Sequence, residues 1–267
     1  MKLKIQDSRL ISNIDPKKVG FITKYIQNFK CIFNFIKVFV NEVNFAINDD
    51  GISIIAMDSS HISLIKTFIP SDYFNVYNCI NPTKKGIDLS IFCKIINNCS
   101  NNDELNIIFE EDFVTVSFIN DNYNKKYKMR LICIDEEELD IPDDEDSQKI
   151  SFDSKYFYNL IKDFVDIGDS LNFTIDEAFK VTCKGDMTET DLTINKNSYK
   201  IENKSTDEYN KSYTTSFINN FAKGYNLSKT IDIITNPDMP IQLNYSFLDT
   251  GYIKYFVAPK IDDDDDK

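Results

Sequence analysis

Asp58, Ser59, Ser60 and His61 stand side by side in "AMDSSHISL" and supply the three side-chain types of a hydrolytic triad. Their spacing argues against that chemistry. Nucleophile, base and orienting acid must lie in line, each within hydrogen-bond reach of the next, and neighbours on one tight turn cannot do so. Metal chemistry has as little to work with. His61 is the only histidine among 267 residues, and the six cysteines (Cys31, Cys79, Cys93, Cys99, Cys133, Cys183) include no C-x-x-C pair. A flexible run such as Asp262–Asp266 preorganises no ligand set. A metal nuclease would need paired carboxylates at matched spacing, and these are absent outside the acidic stretches. The expectation is a protein with no catalytic centre, no metal and no cofactor, and with reduced, mostly buried thiols.

The charges are unevenly placed. A net charge of −13 argues against nucleic acid when taken alone, because binding a duplex needs clustered lysine and arginine. Distribution matters more than the sum. Acid concentrates in "DEEELDIPDDED" (135–146) and in Asp262–Asp266, whereas predicted helices carry lysine and little acid. No apolar run is long enough to cross a bilayer and Met1-Lys2-Leu3-Lys4 does not start a signal peptide, so an intracellular, soluble protein without membrane partners is expected. Heavy use of Asn and Ile looks like an AT-rich genome, which speaks to source and not to activity.

Two rounds of strands and helices position these charges. Residues 15–30 predict a helix, with Asp15 as N-cap, Pro16 at the first helical position and Phe21, Ile22, Tyr25, Ile26 and Phe29 as its apolar stripe. Two strands follow over 51–69, then a short helix over 89–100 and a hairpin over 104–119. The order recurs as helix 154–165, a strand pair over 171–195, helix 214–224 and strands over 230–257. A shift of 125 lays Phe92 over Phe217, Ile96 over Phe221, and 176–194 over 51–69. One long period means a tandem pair of domains. We set these at 1–132 and 150–261, joined by a connector at 133–149 and followed by an acidic tail at 262–267.

At "AMDSSHISL" the chain resembles proliferating cell nuclear antigen, the DNA sliding-clamp family. "YKMRLICIDEEELDIPDDE" (127–145), "FVDIGDSLNF" (164–173) and "GYIKYFVAPKI" (251–261) match in order and spacing. The resemblance implies an α+β DNA-clamp fold: two similar domains per chain, and three chains head to tail in a ring with helices inside and antiparallel sheets outside. It implies a homotrimer that encircles double-stranded DNA without reading sequence. Such a ring tethers DNA polymerase, a flap nuclease and ligase through PIP-box peptides, and a clamp loader opens and closes it. A checkpoint-ring subunit or a viral transcription accessory factor is the alternative. Location would be the nucleus, or a viral replication site if the source is viral.

Carried over residue by residue, the resemblance assigns DNA contact to Lys17, Lys18, Lys24, Lys94, Lys162 and Lys223. Asn97 and Asn159 stand where the family has basic residues. It assigns the peptide pocket to Met57, His61, Leu64, Leu139, Ile141, Pro142, Pro240, Phe256, Val257, Ala258 and Pro259. Phe256 replaces a usual tyrosine there, and Asp140 a usual glycine. The regions that pair between subunits in the family are unusually charged here: "NKKYKMR" (124–130) is basic and "DMTETDL" (186–192) acidic. Lys126, Lys128 and Arg130 are therefore expected to face Asp186, Glu189 and Asp191 of a neighbouring subunit.

Overall fold

The computed structural model describes residues 4–5, 17–135, 147–202 and 208–261. The chain forms two compact units. One comprises Met1–Ser59, Ile65–Glu137 and Leu248–Tyr252, and the other Ser60–Leu64, Glu138–Phe247 and Ile253–Lys267.

After a two-residue strand β1 (Lys4–Ile5), the first repeat runs β2 (Val19–Thr23), α1 (Ile26–Ile36), β3 (Glu42–Ile47), β4 (Gly51–Met57), β5 (Ser63–Pro70), β6 (Val76–Asn78), β7 (Thr83–Asp88), α2 (Leu89–Asn97), β8 (Glu104–Phe109), β9 (Phe113–Ile119) and β10 (Asn124–Arg130). The second runs β11 (Gln148–Asp153), α3 (Ser154–Ile161), β12 (Ser170–Ile175), β13 (Phe179–Lys184), β14 (Glu189–Ile194), β15 (Tyr199–Glu202), β16 (Tyr209–Thr214), α4 (Thr215–Ala222), β17 (Thr230–Thr235), β18 (Ile241–Phe247) and β19 (Gly251–Val257). The pairing order repeats as well. In the first unit β6-β2-β8-β9-β10 answers β15-β11-β17-β18-β19 of the second, and β5-β4-β3-β7 answers β14-β13-β12-β16. The eleven-element repeat bears out the tandem reading.

Register within the repeat needs correction. Helices α2 and α4 begin at Leu89 and Thr215, so the fourth residues that face their cores are Phe92 and Ile218, not Phe92 and Phe217. The predicted strand pair at 171–195 is three strands, β12 to β14, because a turn at 185–188 divides the second half.

The predicted helix at 15–30 is also corrected. Val19–Thr23 is a strand and the helix starts only at Ile26; Asp15 and Pro16 lie outside the described residues. Strand β2 is buried from Gly20 to Thr23, so its apolar run has no wet side to betray period two. A Cβ on Gly20 would sit 2.6 Å from the Ile107 carbonyl oxygen, which shows how closely β2 approaches β8. Phe21 packs within the first core against Phe29, Phe74, Tyr77 and Phe109, its ring centroid 4.5 Å from that of Phe74.

Two of the four described helices carry a side-chain cap. Asp88 accepts from the Ile91 N–H and Asp153 from the Tyr156 N–H, capping α2 and α3. No side chain caps α1. The apolar face of each helix lies on its own unit's sheets: Phe29, Phe33 and Phe92 cluster with Phe45 in the first, and Phe221 stacks on Tyr245 and Tyr255 at 4.8 and 5.4 Å in the second. Replacing any of these rings by alanine costs about 3–5 kcal/mol. All six thiols are free, and burial pushes Cys93 up to about 11 and Cys99 up to about 12.

Candidate nucleic-acid and partner surfaces

With their apolar faces turned to the sheets, the helices leave a second face open in each unit. In the first unit α1 and α2 are zipped across this face by amides. Asn34 and Asn97 donate to each other at 2.8 and 3.0 Å, and Gln27 donates to Asn101. The Lys30 ammonium donates to the Asn97 carbonyl at 3.2 Å and to the Cys99 carbonyl, so it neutralises the C-terminal end of α2. Lys37 is the C-cap of α1, seven residues from Lys30 and therefore on the same side. Lys94 is exposed on α2.

Three of the assigned lysines are elsewhere. Lys17, Lys18 and Lys24 flank β2 and do not lie on the helix expected over 15–30. Lys17 and Lys18 line a cleft of 610 Å³ with Lys85, Glu110 and Glu111, and Lys18 pairs with Glu110 at 2.6 Å. Lys24 lines a cleft of 440 Å³ beside Asp103, Glu104 and Asp121. Each of these lysines keeps acidic company. Lys30 and Lys37 were the missed candidates. Starting the helix after Lys24-Tyr25 would have found them, since their spacing of seven is a sequence signal.

In the second unit Lys162 is exposed at the C-cap of α3, beside Asp163. Lys223 is the C-cap of α4 and donates to Asn220 at 2.9 Å. Asn159, the departure noted above, is exposed on α3.

The candidate peptide surface is partly assembled within the second unit. The chain turns at His61, which is exposed and holds a left-handed φ of 56°. Next to it, the Ile62 carbonyl accepts from the Ala258 N–H at 3.0 Å, which brings the 60–64 segment beside the end of β19. Beyond Pro259, the Lys260 N–H donates to the Ser212 carbonyl at 2.8 Å and anchors the hook on β16. Leu64, Phe256 and Val257 are buried, so they back this wall; Ile62, Ala258 and Pro259 present it. Pro240 is half-buried just before β18, and Met239 is exposed beside it. Met57 ends β4 in the first unit. Leu139, Asp140, Ile141 and Pro142 lie outside the described residues. Ile62 and Met239 were missed because the sequence comparison weighed matching positions and not exposure.

The two charged segments are both sheet edges. Strand β10 pairs only with β9, and β14 only with β13, among the described strands. Alternation turns Lys126, Lys128 and Arg130 to one face of β10, opposite Tyr127 and the buried Met129. Lys128 lies 4.2 Å from the Phe113 ring centroid and 4.0 Å from Glu110. Glu110 is held below the usual carboxylate range by its hydrogen bond from Lys18 and by the charges of Lys18 and Lys128. On β14, Glu189 and Asp191 share the exposed face, while Thr190, Leu192 and Ile194 turn inward. Asp186 is not on the strand; it sits in the turn before it. Among the described residues no group of three or more His, Cys, Asp or Glu side chains is placed to hold a metal.

The comparisons agree with this architecture. The chain matches the family models for "Proliferating cell nuclear antigen, N-terminal domain" over residues 24–139 and "Proliferating cell nuclear antigen, C-terminal domain" over residues 140–260. It is 27% identical over 247 residues to the proliferating cell nuclear antigen of Chaetomium thermophilum, an alignment covering 88% of this chain and 95% of that protein.

Proposed function

This chain belongs to the proliferating cell nuclear antigen family of DNA sliding clamps, and from that premise we propose that three copies close head to tail around duplex DNA and tether DNA polymerase to it. One observation carries the assembly: among the described strands each repeat has an edge, β10 or β14, paired on one side only, and the two edges bear opposite charge on their exposed faces. An open edge seeks a partner strand. A basic β10 and an acidic β14 attract each other and repel their own kind, which favours a heterologous contact that closes into a ring.

The helix faces would then meet phosphates. Such contacts carry no sequence information and weaken with salt, as a sliding protein requires. Topological closure, rather than affinity, retains the ring on DNA. Partners with PIP-box peptides (the polymerase, a flap nuclease, ligase and the clamp loader) would dock on the wall presented by Ile62, Ala258 and Pro259, to which the family resemblance adds Pro240 and residues 139–142. The protein acts as a scaffold without an enzymatic step, in the nucleus or at a viral replication site. Light scattering tests the assembly: three 31.0-kDa chains give about 93 kDa. Loader-dependent stimulation of a polymerase on primed circular DNA tests the function; a monomer that leaves synthesis unchanged would sink the proposal.

A further inference from the structure

The exposed face of α3 and α4 carries a feature that the lysine assignments do not use. The rings of Tyr158 and Tyr225 are stacked, 4.9 Å between centroids at 29°. The Lys155 ammonium lies 3.9 Å from the Tyr225 centroid. Both tyrosines are half-buried and Lys155 is exposed. A ring on one side and a cation close above leave Tyr225 no open face on which a base could stack. What remains to offer a ligand is the phenol hydroxyl, a neutral donor, beside an ammonium. The Lys155 ammonium also holds the Tyr225 phenol below its usual range, which strengthens it as a donor.

The surroundings are of the same kind. Lys155, Asn159 and Lys162 recur at i, i+4 and i+7 on α3, so they line one helical face. Lys223 stands two residues before Tyr225. Of the nearby carboxylates, Asp153 is engaged in capping the Tyr156 N–H, and Asp163 and Asp166 lie at the far end of the helix.

We propose that Lys155, Tyr158 and Tyr225 form a contact for the phosphodiester backbone of duplex DNA, with the tyrosine hydroxyls and the ammonium donating to phosphate oxygens. This rests on the sliding-clamp reading. It sets neutral donors among the lysines of the second repeat, and neutral donors grip a phosphate without adding long-range attraction that would slow sliding.

The test is fluorescence anisotropy of the full-length protein with a short, labelled linear duplex at low salt, repeated across a salt series. Tyr225→Phe keeps the stack and removes one hydroxyl. It should weaken binding on the order of three- to tenfold and leave the slope of log K against log salt unchanged. Lys155→Met should reduce that slope by about 0.9, the value for one phosphate contact. Because the chain has no tryptophan, Tyr225→Trp adds a unique emitter, whose fluorescence should change when duplex is added. If Tyr225→Phe and Lys155→Met both bind like the parent and the indole emission of Tyr225→Trp is silent, the stack is not a DNA contact. If the parent itself ignores duplex at low salt, the clamp reading fails first and takes this contact with it.

Discussion

The two repeats share one order of elements and one strand order, yet their surfaces were built from different chemistry. In the first, the helix face is an amide ladder with Lys30 held on the end of α2; in the second, it is a tyrosine stack flanked by lysines. The first presents a basic edge and the second an acidic one. Apolar positions stayed constrained because a sheet layer must be covered by helices whatever the surface does. Exposed positions carry no such constraint, and in the proposed head-to-tail assembly unlike edges are an advantage: two identical edges would repel, whereas two unlike edges attract.

The largest effect is therefore expected at the edges. Replacing Lys126, Lys128 and Arg130 together by glutamate sets like charges opposite each other, which costs several kcal/mol and on the order of a hundredfold or more in the assembly constant. Light scattering should fall from about 93 kDa toward the 31.0-kDa chain. Adding Glu189→Lys and Asp191→Lys to the same chain should restore the ring. A triple variant that stays assembled would mean that Tyr127 and Leu192, the inward edge residues, carry the contact instead.

Next in size is a polar lock in the first repeat. Asp103 is 3% exposed and accepts from the Ser100 N–H, from Asn120 and from the Tyr123 hydroxyl. Asp103→Ala leaves these donors without their acceptor and should cost about 1–3 kcal/mol in chemical unfolding. Burial opposes the charge on Asp103, but the hydrogen bonds outweigh it and hold the carboxyl below its usual range. A lowered native value means that the contribution is full above the unfolded carboxylate range, about pH 4, and is lost as pH falls through the native value. The variant should accordingly lose less stability than the parent on acidification.

How much of this could be read from the sequence follows from the range of each interaction. Asp88 and Asp153 cap helices three residues away, and both helices were found; the 104–119 hairpin and the two charged strands are equally local. The β2–α1 boundary was missed because Phe21, Ile22, Tyr25, Ile26 and Phe29 read as one helical stripe, although the first two are buried in a strand. That error placed Lys17 and Lys24 on a helix, whereas they flank β2, and it left Lys30 and Lys37 of α1 unconsidered. The Asn34–Asn97 and Tyr158–Tyr225 pairs join residues 63 and 67 apart. No periodicity announces them, since only packing of the helices brings them together.

A smaller effect separates the two lysines of α1. Lys30 is spent on the carbonyls of α2, so Lys30→Ala should lower the melting temperature while changing the salt dependence of DNA binding little. Lys37 caps the end of α1 through its backbone, and its side chain holds no carbonyl of α2 among the described residues. Lys37→Ala should leave melting unchanged and reduce the salt slope by about 0.9, matching Lys223→Ala in the second repeat. If Lys30 proves the stronger phosphate contact, its carbonyl bonds must open when DNA arrives, and the helix face of the first repeat is less fixed than that of the second.

The smallest effect is expected at Asp176, the second repeat's nearest counterpart to Asp103 as a hydrogen-bonded carboxylate at a strand end. A hydrogen bond from Lys180 at 2.6 Å, then one from the Ala178 N–H, brings its carboxyl down to about 2. By sign this resembles Asp103: a contribution present above the unfolded range and lost as pH falls through about 2. By environment it does not, because the pair is half-exposed and solvent screens it. Asp176→Asn keeps an acceptor for the Ala178 N–H and gives up only the ion pair, so melting at neutral pH should stay with the parent. A clear loss would mean that this exposed turn bears weight in the second repeat, as the Asp103 lock does in the first.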